Sequence, residues 1–165
     1  MSILITRVET ADPAVAAFLS AHHAELEPTA PAESRHALDF ERLLAPEIRL
    51  FAGYLDGRPV ATGALVGVED GHEELKSMRT DPAQRGRGLG RAMLTFLLAD
   101  AQARDVRRIS LETGSAEFFV PARALYAGAG FRECGPFGSY PADPHSTFMT
   151  LDLPAASVAV ASGTR

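Results

Sequence analysis

The sequence predicts an α/β fold built on one mixed sheet, and three observations carry that reading. Extended and helical apolar patterns alternate along the chain. Two extended runs, "IRLFAGYL" (48–55) and "PVATGALVGV" (59–68), flank "DGR", a hairpin signal that makes them antiparallel neighbours. Residues 72–113 read extended, helical, extended, which predicts a parallel strand pair joined by a right-handed crossover.

Taken in order, "ILITRVET" (3–10) is the first strand. Asp12-Pro13 opens a helix to about Leu26, with Val15, Phe18 and Leu19 spaced for one apolar face. "PTAPAES" (28–34) breaks it. A second helix is predicted through "SRHALDFERLL", with His36, Phe40, Leu43 and Leu44 on one side, and Ala45-Pro46 stops it. After the hairpin, "GHEELKSMRT" (71–80) is a further strand with a flaw. Leu75 and Met78 are three apart, which strict alternation cannot put on one face, so a β-bulge is predicted near Lys76–Arg79. Gly88 to about Arg104 is a helix, because Leu89, Met93, Leu97 and Ala101 recur every four residues with Leu94 and Leu98 beside them. "RISLET" (108–113) is a buried-type strand. A short helix starts at Pro121 and ends near "GAGF". "HSTFMTLDL" (145–153) alternates as a last strand, alone or with another.

The chain of 165 residues fits one domain over 1–153, with 154–165 a tail that carries no functional signal. Hydrophobic content of 46% and charged content of 22% are those of a soluble globular protein. No apolar run approaches the ~18 residues of a membrane span. "MSILITRVETAD" has no leader-like pattern, and the single cysteine, Cys134, excludes an internal disulfide and a cysteine-rich zinc site. The cytoplasm, no membrane and no metal are therefore the expectations. A net charge of −5 argues against a nucleic-acid partner.

The chemistry starts at "DPAQRGRGLGRAML" (81–94). A Walker loop needs a lysine and a hydroxyl that are absent, and Gly86, Gly88 and Gly90 are spaced G-x-G-x-G, not G-x-G-x-x-G. What survives is a compact glycine turn at a helix start, whose free N–H groups suit a diphosphate. Its bland alternative is a tight turn with solvated arginines.

"RGRGLG" matches Q/R-x-x-G-x-G/A, "MRTDP" precedes it, and "ARALYAGAGF" (122–131) follows about 35 residues on. Over 72–133 the chain thus resembles the GCN5-related N-acetyltransferases, the GNAT family. The resemblance implies acetyl-CoA as donor, its diphosphate on the loop Arg85, Gly86, Arg87, Gly88, Leu89, Gly90 and Arg91. It implies that the backbone of Met78, Arg79 and Thr80 pairs with the pantetheine arm like an added strand. It further implies a sheet that splays between that strand and "RISLET".

Acetyl transfer needs a neutral amine, an N–H such as that of Thr80 for the oxyanion, and a proton for the leaving thiolate. Tyr126 matches the family's general-acid tyrosine; its alternative is a packed helix tyrosine. Glu112 is the chosen base, with Glu73, Glu74 and His36 as rivals, and His22-His23 reads as helix surface. Phe119 stands where many family members carry an asparagine. The acceptor pocket is expected between the 33–44 helix and the loop "CGPFGSYPADP" (134–144), with His36, Phe137 and Tyr140 on its walls. Arg79 and Arg35 are candidates to hold an acceptor carboxylate, the alternative for both being solvated surface. The expected activity is acetylation of a small-molecule amine by direct attack in a ternary complex. A non-catalytic acyl-CoA-binding module and a nucleotide-binding regulatory domain are the alternatives. The acceptor's identity, amine against hydroxyl, and a homodimer all stay open.

Overall fold

A computed structural model describes residues 2–155. The expectation of a featureless tail lies, from residue 156 onward, outside the described residues. The elements are β1 (Leu4–Arg7), α1 (Pro13–Leu26), α2 (Phe40–Leu43), β2 (Ile48–Leu55), β3 (Arg58–Glu69) and β4 (His72–Thr80). They continue with α3 (Leu89–Ala103), β5 (Arg108–Gly114), α4 (Val120–Gly128), β6 (Arg132–Cys134) and β7 (Ser146–Asp152). One seven-stranded sheet runs β1-β2-β3-β4-β5-β7-β6. It is antiparallel throughout except for β4 and β5, the parallel pair that α3 connects. None of the helices among the described residues is long and apolar enough to cross a membrane.

Local chemistry explains most of these boundaries. Asp12 caps α1 by accepting the Ala14 and Val15 N–H groups, and Pro13 fills the first helical position, where no N–H is needed. Asp56 and Gly57 both take positive φ, 48° and 76°, the turn that matches the twist of a tight hairpin. β6 is a short strand that the sequence did not single out; its three residues pair with Thr150, Met149 and Phe148 of β7.

The second helix predicted for 34–44 is corrected. Ala32–Ser34 is a single 3-10 turn, the chain then runs extended, and only Phe40–Leu43 is helical, capped by the Asp39 side chain on the Arg42 N–H. Asp39 competed successfully for a helix start, as a short polar side chain does, and the run upstream of it stayed unwound. His36 therefore does not share a helix face with Phe40 and Leu44.

Two apolar layers sandwich the sheet. On one face Val15 and Leu19 of α1 and Leu43 of α2 pack on Leu50, Ala52 and Ala64. On the other, Met93, Leu94, Leu97 and Ala101 of α3 and Tyr126 of α4 pack on Phe51, Leu65, Leu75, Ile109 and Leu111. The alternation of Leu50, Phe51 and Ala52 between the two layers is the period-two pattern of a strand covered on both sides.

The bulge is where the sequence places it. Thr62 pairs with Arg79 and Ala64 with Lys76, so β4 carries one residue more than β3 between them. Ser77 takes φ 55° there, and the buried Thr62 hydroxyl donates to its carbonyl at 2.9 Å. Leu75 and Met78 consequently both face the α3 layer. Gly63 lies opposite the extra residue. A Cβ there would meet Leu97 Cδ1 at 2.5 Å and Met78 Sδ at 3.0 Å. Gly63→Ala should cost about 1–3 kcal/mol through overpacking and lower Tm by roughly 2–12 °C. An unchanged Tm in a thermal melt would show that the packing against the bulge yields freely.

Candidate active site

β4 and β5 pair only from His72 to Leu75 on β4 and from Arg108 to Leu111 on β5. Past that point the strands part. The β5-facing edge of Lys76–Thr80 has no strand partner, and the tips of β4 and β5 become the two walls of a cleft. Phe119 reinforces the far wall: its ring lies against Gly114, where a Cβ would stand 2.1 Å from the ring carbons, so only glycine fits.

The glycine loop closes one end of this cleft. Asp81 accepts the Ala83 N–H at 3.0 Å and starts a 3-10 turn over Pro82–Gln84. Gly86 and Gly88 both follow at φ 78°. Gly88 is the N-cap of α3 and has no side chain to cap with, while Ala92 N–H bonds back to Gly88 O at 3.0 Å. The N–H groups of Leu89, Gly90 and Arg91 thus precede the first intrahelical bond and open toward the cleft end, with the positive end of the helix dipole behind them. The three glycines are there for two reasons. Gly86 and Gly88 serve a left-handed backbone with open space around them. Gly90 serves packing, since a Cβ would press on Thr80 Oγ1 and Leu125 Cδ2 at 3.2 and 3.3 Å. Of the loop arginines, Arg85 pairs with Glu25 at 3.3 Å, Arg87 bonds Gln84, and Arg91 is exposed at the rim.

The cleft has two compartments. The outer one, about 520 Å³, runs from the glycine loop along Met78, Arg79 and Thr80 beneath α1 and the start of α4. The inner one, about 140 Å³, lies between the tips of β4 and β5 and the 29–37 segment. Tyr126, Met78, Phe119, Ala122, His22 and Leu26 border both. Tyr126 is 6% exposed, and burial raises its phenol well above the ordinary value, so it is protonated at neutral pH.

Alternation along β4 separates the carboxylates. Glu73 faces α3 and takes both terminal nitrogens of Arg104, at 2.6 and 2.9 Å, which removes it from the cleft. Glu74 faces the inner compartment but is held by Lys76 at 3.1 Å and by the Tyr140 hydroxyl. Glu112 borders the same compartment with no ion pair among the described residues. Burial raises its carboxyl above the usual range and the Glu74 charge adds to this, against the opposing pull of the Ser146 hydroxyl, His36 and Lys76.

Three expectations for the acceptor side are corrected. Phe137 does not line the cleft; it packs on His72, Tyr140 and Phe148. Tyr140 lies behind the wall, where it holds Glu74 and Lys76 and meets the His36 ring edge-on at 4.9 Å. Arg79 is not available to an acceptor. It bonds the Phe18 carbonyl and Glu25 and stacks over the Phe18 ring at 4.4 Å, pinning α1 to β4. His36 does border the inner compartment, from an extended segment. His22, read as surface, faces both compartments. Burial, reinforced by the charges of Arg79, His23 and Arg85, lowers its pKa from 6.5 to about 4. The signal for it was its place one turn after Phe18 and Leu19, on the margin of the helix's packed face.

Residues 15–131 match the model of the Acetyltransferase (GNAT) family. The chain is 40% identical over 141 residues, 86% of its length, to the N-acetyltransferase YedL of Escherichia coli, itself uncharacterized, and covers 89% of that protein. It is 39% identical over 124 residues, 74% of its length, to the IAA acetyltransferase of Azospirillum brasilense, covering 80% of it. A solved Klebsiella pneumoniae structure assigned as an acyl-CoA N-acyltransferase superposes with a TM-score of 0.78 at 32% identity, over 92% of this chain and 97% of that one. The aminoglycoside 6'-N-acetyltransferase solved with coenzyme A shares the fold, with a TM-score of 0.68 at 15% identity over 93% of this chain and 99% of that one.

His22 makes stability depend on acidity. Its folded pKa of about 4 lies below the ordinary 6.5, so between those values the unfolded chain binds more protons. This contribution is complete above pH 6.5 and declines as pH falls toward 4. His22→Gln should flatten the fall of Tm across that window. An unaltered slope would assign the acid loss to other groups.

Proposed function

The chain belongs to the GNAT family of acetyltransferases and is an acyltransferase, and from that premise we propose that it moves the acetyl group of acetyl-CoA to the amine of a small molecule. One observation carries the reading: Tyr126 borders both compartments, where the outer, headed by a ready anion site, opens into the inner. The residues fit the donor. The N–H groups of Leu89, Gly90 and Arg91, with the turn at Gly86 and Gly88, would take the diphosphate. The unpartnered edge at Met78–Thr80 would receive the pantetheine amides as a strand does. Bound there, the donor supplies an activated thioester carbonyl to the end of the inner compartment.

The chain's own groups then divide the proton work. Glu112, the uncommitted carboxylate of the inner compartment, takes a proton from the amine directly or through a water. The amine nitrogen bonds the acetyl carbon as the carbon–sulfur bond breaks. Tyr126 gives its proton to the departing thiolate. An ordinary phenol, near ~10, sits above an ordinary thiol, near ~8.5, and burial raises Tyr126 further, so it keeps its proton until a thiolate forms beside it. Small acceptors suit the inner compartment's volume of about 140 Å³, and the names of similar proteins, an IAA acetyltransferase and an aminoglycoside 6'-N-acetyltransferase, lie in the same direction. The single free thiol, Cys134, suits a reducing cytoplasm.

Tyr126→Phe keeps the ring and its packing, so acetyl-CoA binding should persist while kcat falls by ~10- to 1,000-fold, the general-acid range extended downward for substitution by water. Wild-type turnover in a thiol-release assay would remove Tyr126 as the acid. A wild-type protein that binds acetyl-CoA and acetylates no amine would favour the acyl-CoA-binding module instead. Glu112→Gln should abolish the acidic limb of the kcat/KM profile, which should lie above the ordinary carboxyl value of 4.5. Retention of that limb would move the base to another group.

A further inference from the structure

Arginines withdrawn from water in this protein have acceptors for their charge. Arg79 meets Glu25, Arg104 meets Glu73 and Asp100, and Arg49 meets Asp100. Arg123 bonds the carbonyls of Gly114 and Ala116, and Arg7 that of Ile48. Arg35 breaks the pattern. Its residue is only partly exposed and its Nε is sealed from solvent, yet among the described residues no carboxylate or carbonyl accepts from its guanidinium. Arg7 and Arg79 also leave Nε unbonded, but both bond through a terminal nitrogen. A buried donor left without an acceptor is costly, and here the sealed Nε–H has none while the terminal nitrogens stay open to an incoming anion.

Arg35 borders the inner compartment on one side and a cavity beneath α1 on the other. Glu27, the carboxylate of that second cavity, is exposed and makes no ion pair with it. Within the inner compartment Glu74 is spoken for by Lys76 and Tyr140, which leaves Glu112 as the uncommitted carboxylate. Among the described residues the compartment therefore offers one cation and one carboxylate without an ion-pair partner, the carboxylate beside the Ser146 hydroxyl. A zwitterion complements both, with its ammonium toward Glu112 and its carboxylate on the guanidinium fork.

We propose that Arg35 is an acceptor-binding residue and that the acceptor carries a carboxylate as well as the amine: an amino acid or a compound of that class. The inference rests on the acetyltransferase reading and narrows it.

The test is thiol release from acetyl-CoA by the full chain. Each protein amino acid, β-alanine and γ-aminobutyrate is compared with the amine left when its carboxylate is removed. Polyamines, aminoglycosides and arylamines complete the panel. For the best acceptor, loss of the carboxylate should lower kcat/KM by ~10- to 100-fold, the worth of a charge-assisted bond. Arg35→Gln should impose the same loss on the acid and none on its decarboxylated partner, so that discrimination collapses. Arg35→Lys, a charge without the fork, should fall between. Because the charge is unpaired without acceptor, Arg35→Gln should melt at or above the wild-type temperature in acceptor-free buffer.

Discrimination that survives Arg35→Gln overturns the proposal, and so does a variant that melts well below wild type. Acetylation of polyamines, aminoglycosides or arylamines alone overturns it while the acetyltransferase reading stands. If no amine reacts, the proposal fails too, and acetyl-CoA calorimetry then decides whether the acetyltransferase reading falls with it: absent binding sinks both.

Discussion

The early end of the β4–β5 pairing governs the rest of this molecule. Two parallel strands that stayed paired to their tips would leave no cleft and no free edge. They part after Leu75 because β4 takes up one extra residue there, with Ser77 held in a left-handed conformation by the Thr62 hydroxyl on its carbonyl. A bulge sharpens twist and re-aims the strand beyond it. β5 cannot follow, because it is paired with β7 along its whole length, from Arg108 to Gly114. One strand turns, the other is anchored, and the gap between them is the candidate site.

A buried polar network keeps the strands together below the gap. His72 on β4 bonds Ser110 on β5 at 2.6 Å, and Ser110 meets Thr150 on β7 at 2.9 Å. Glu69 approaches the other ring nitrogen of His72 at 3.4 Å. A serine, a histidine and a carboxylate in line resemble a hydrolytic triad, but Ser110 is 1% exposed and no substrate reaches it. The network instead ties three strands at one level, so that their separation begins above it. Arg79 does the corresponding work on the other side, gripping Phe18 and Glu25 and setting α1 over the cleft as a roof.

Much of this was legible from residue order. The hairpin at Asp56-Gly57, the Asp12 cap, the helix from Leu89, and the bulge each follow from a few adjacent side chains. The glycine loop was legible for the same reason, since its shape rests on its own backbone. The departures from local pattern have a common origin too. The spacing of His36 to Phe40 and Leu44 fits a helix, but the cap at Asp39 starts a shorter one and leaves the upstream run extended. Residue order sets Phe137 and Tyr140 on a loop beside the acceptor wall; in space they back that wall, and Tyr140 holds Glu74. Arg79 and Arg35 read alike in sequence; the first is buried on β4 where α1 supplies its acceptors, and the second sits on the extended segment after Ser34 with none.

By itself, then, the sequence determined the mixed sheet, the order of its main strands and helices, the glycine loop and the tyrosine segment, because periodicity, capping and left-handed glycine turns are properties of neighbours along the chain. The tertiary structure alone decided which of Glu73, Glu74 and Glu112 is uncommitted, that His22 is neutral in the cleft, and that Arg35 lacks a partner. Those are matters of desolvation and pairing between residues far apart in the chain, and charge–charge distance has no image in local pattern.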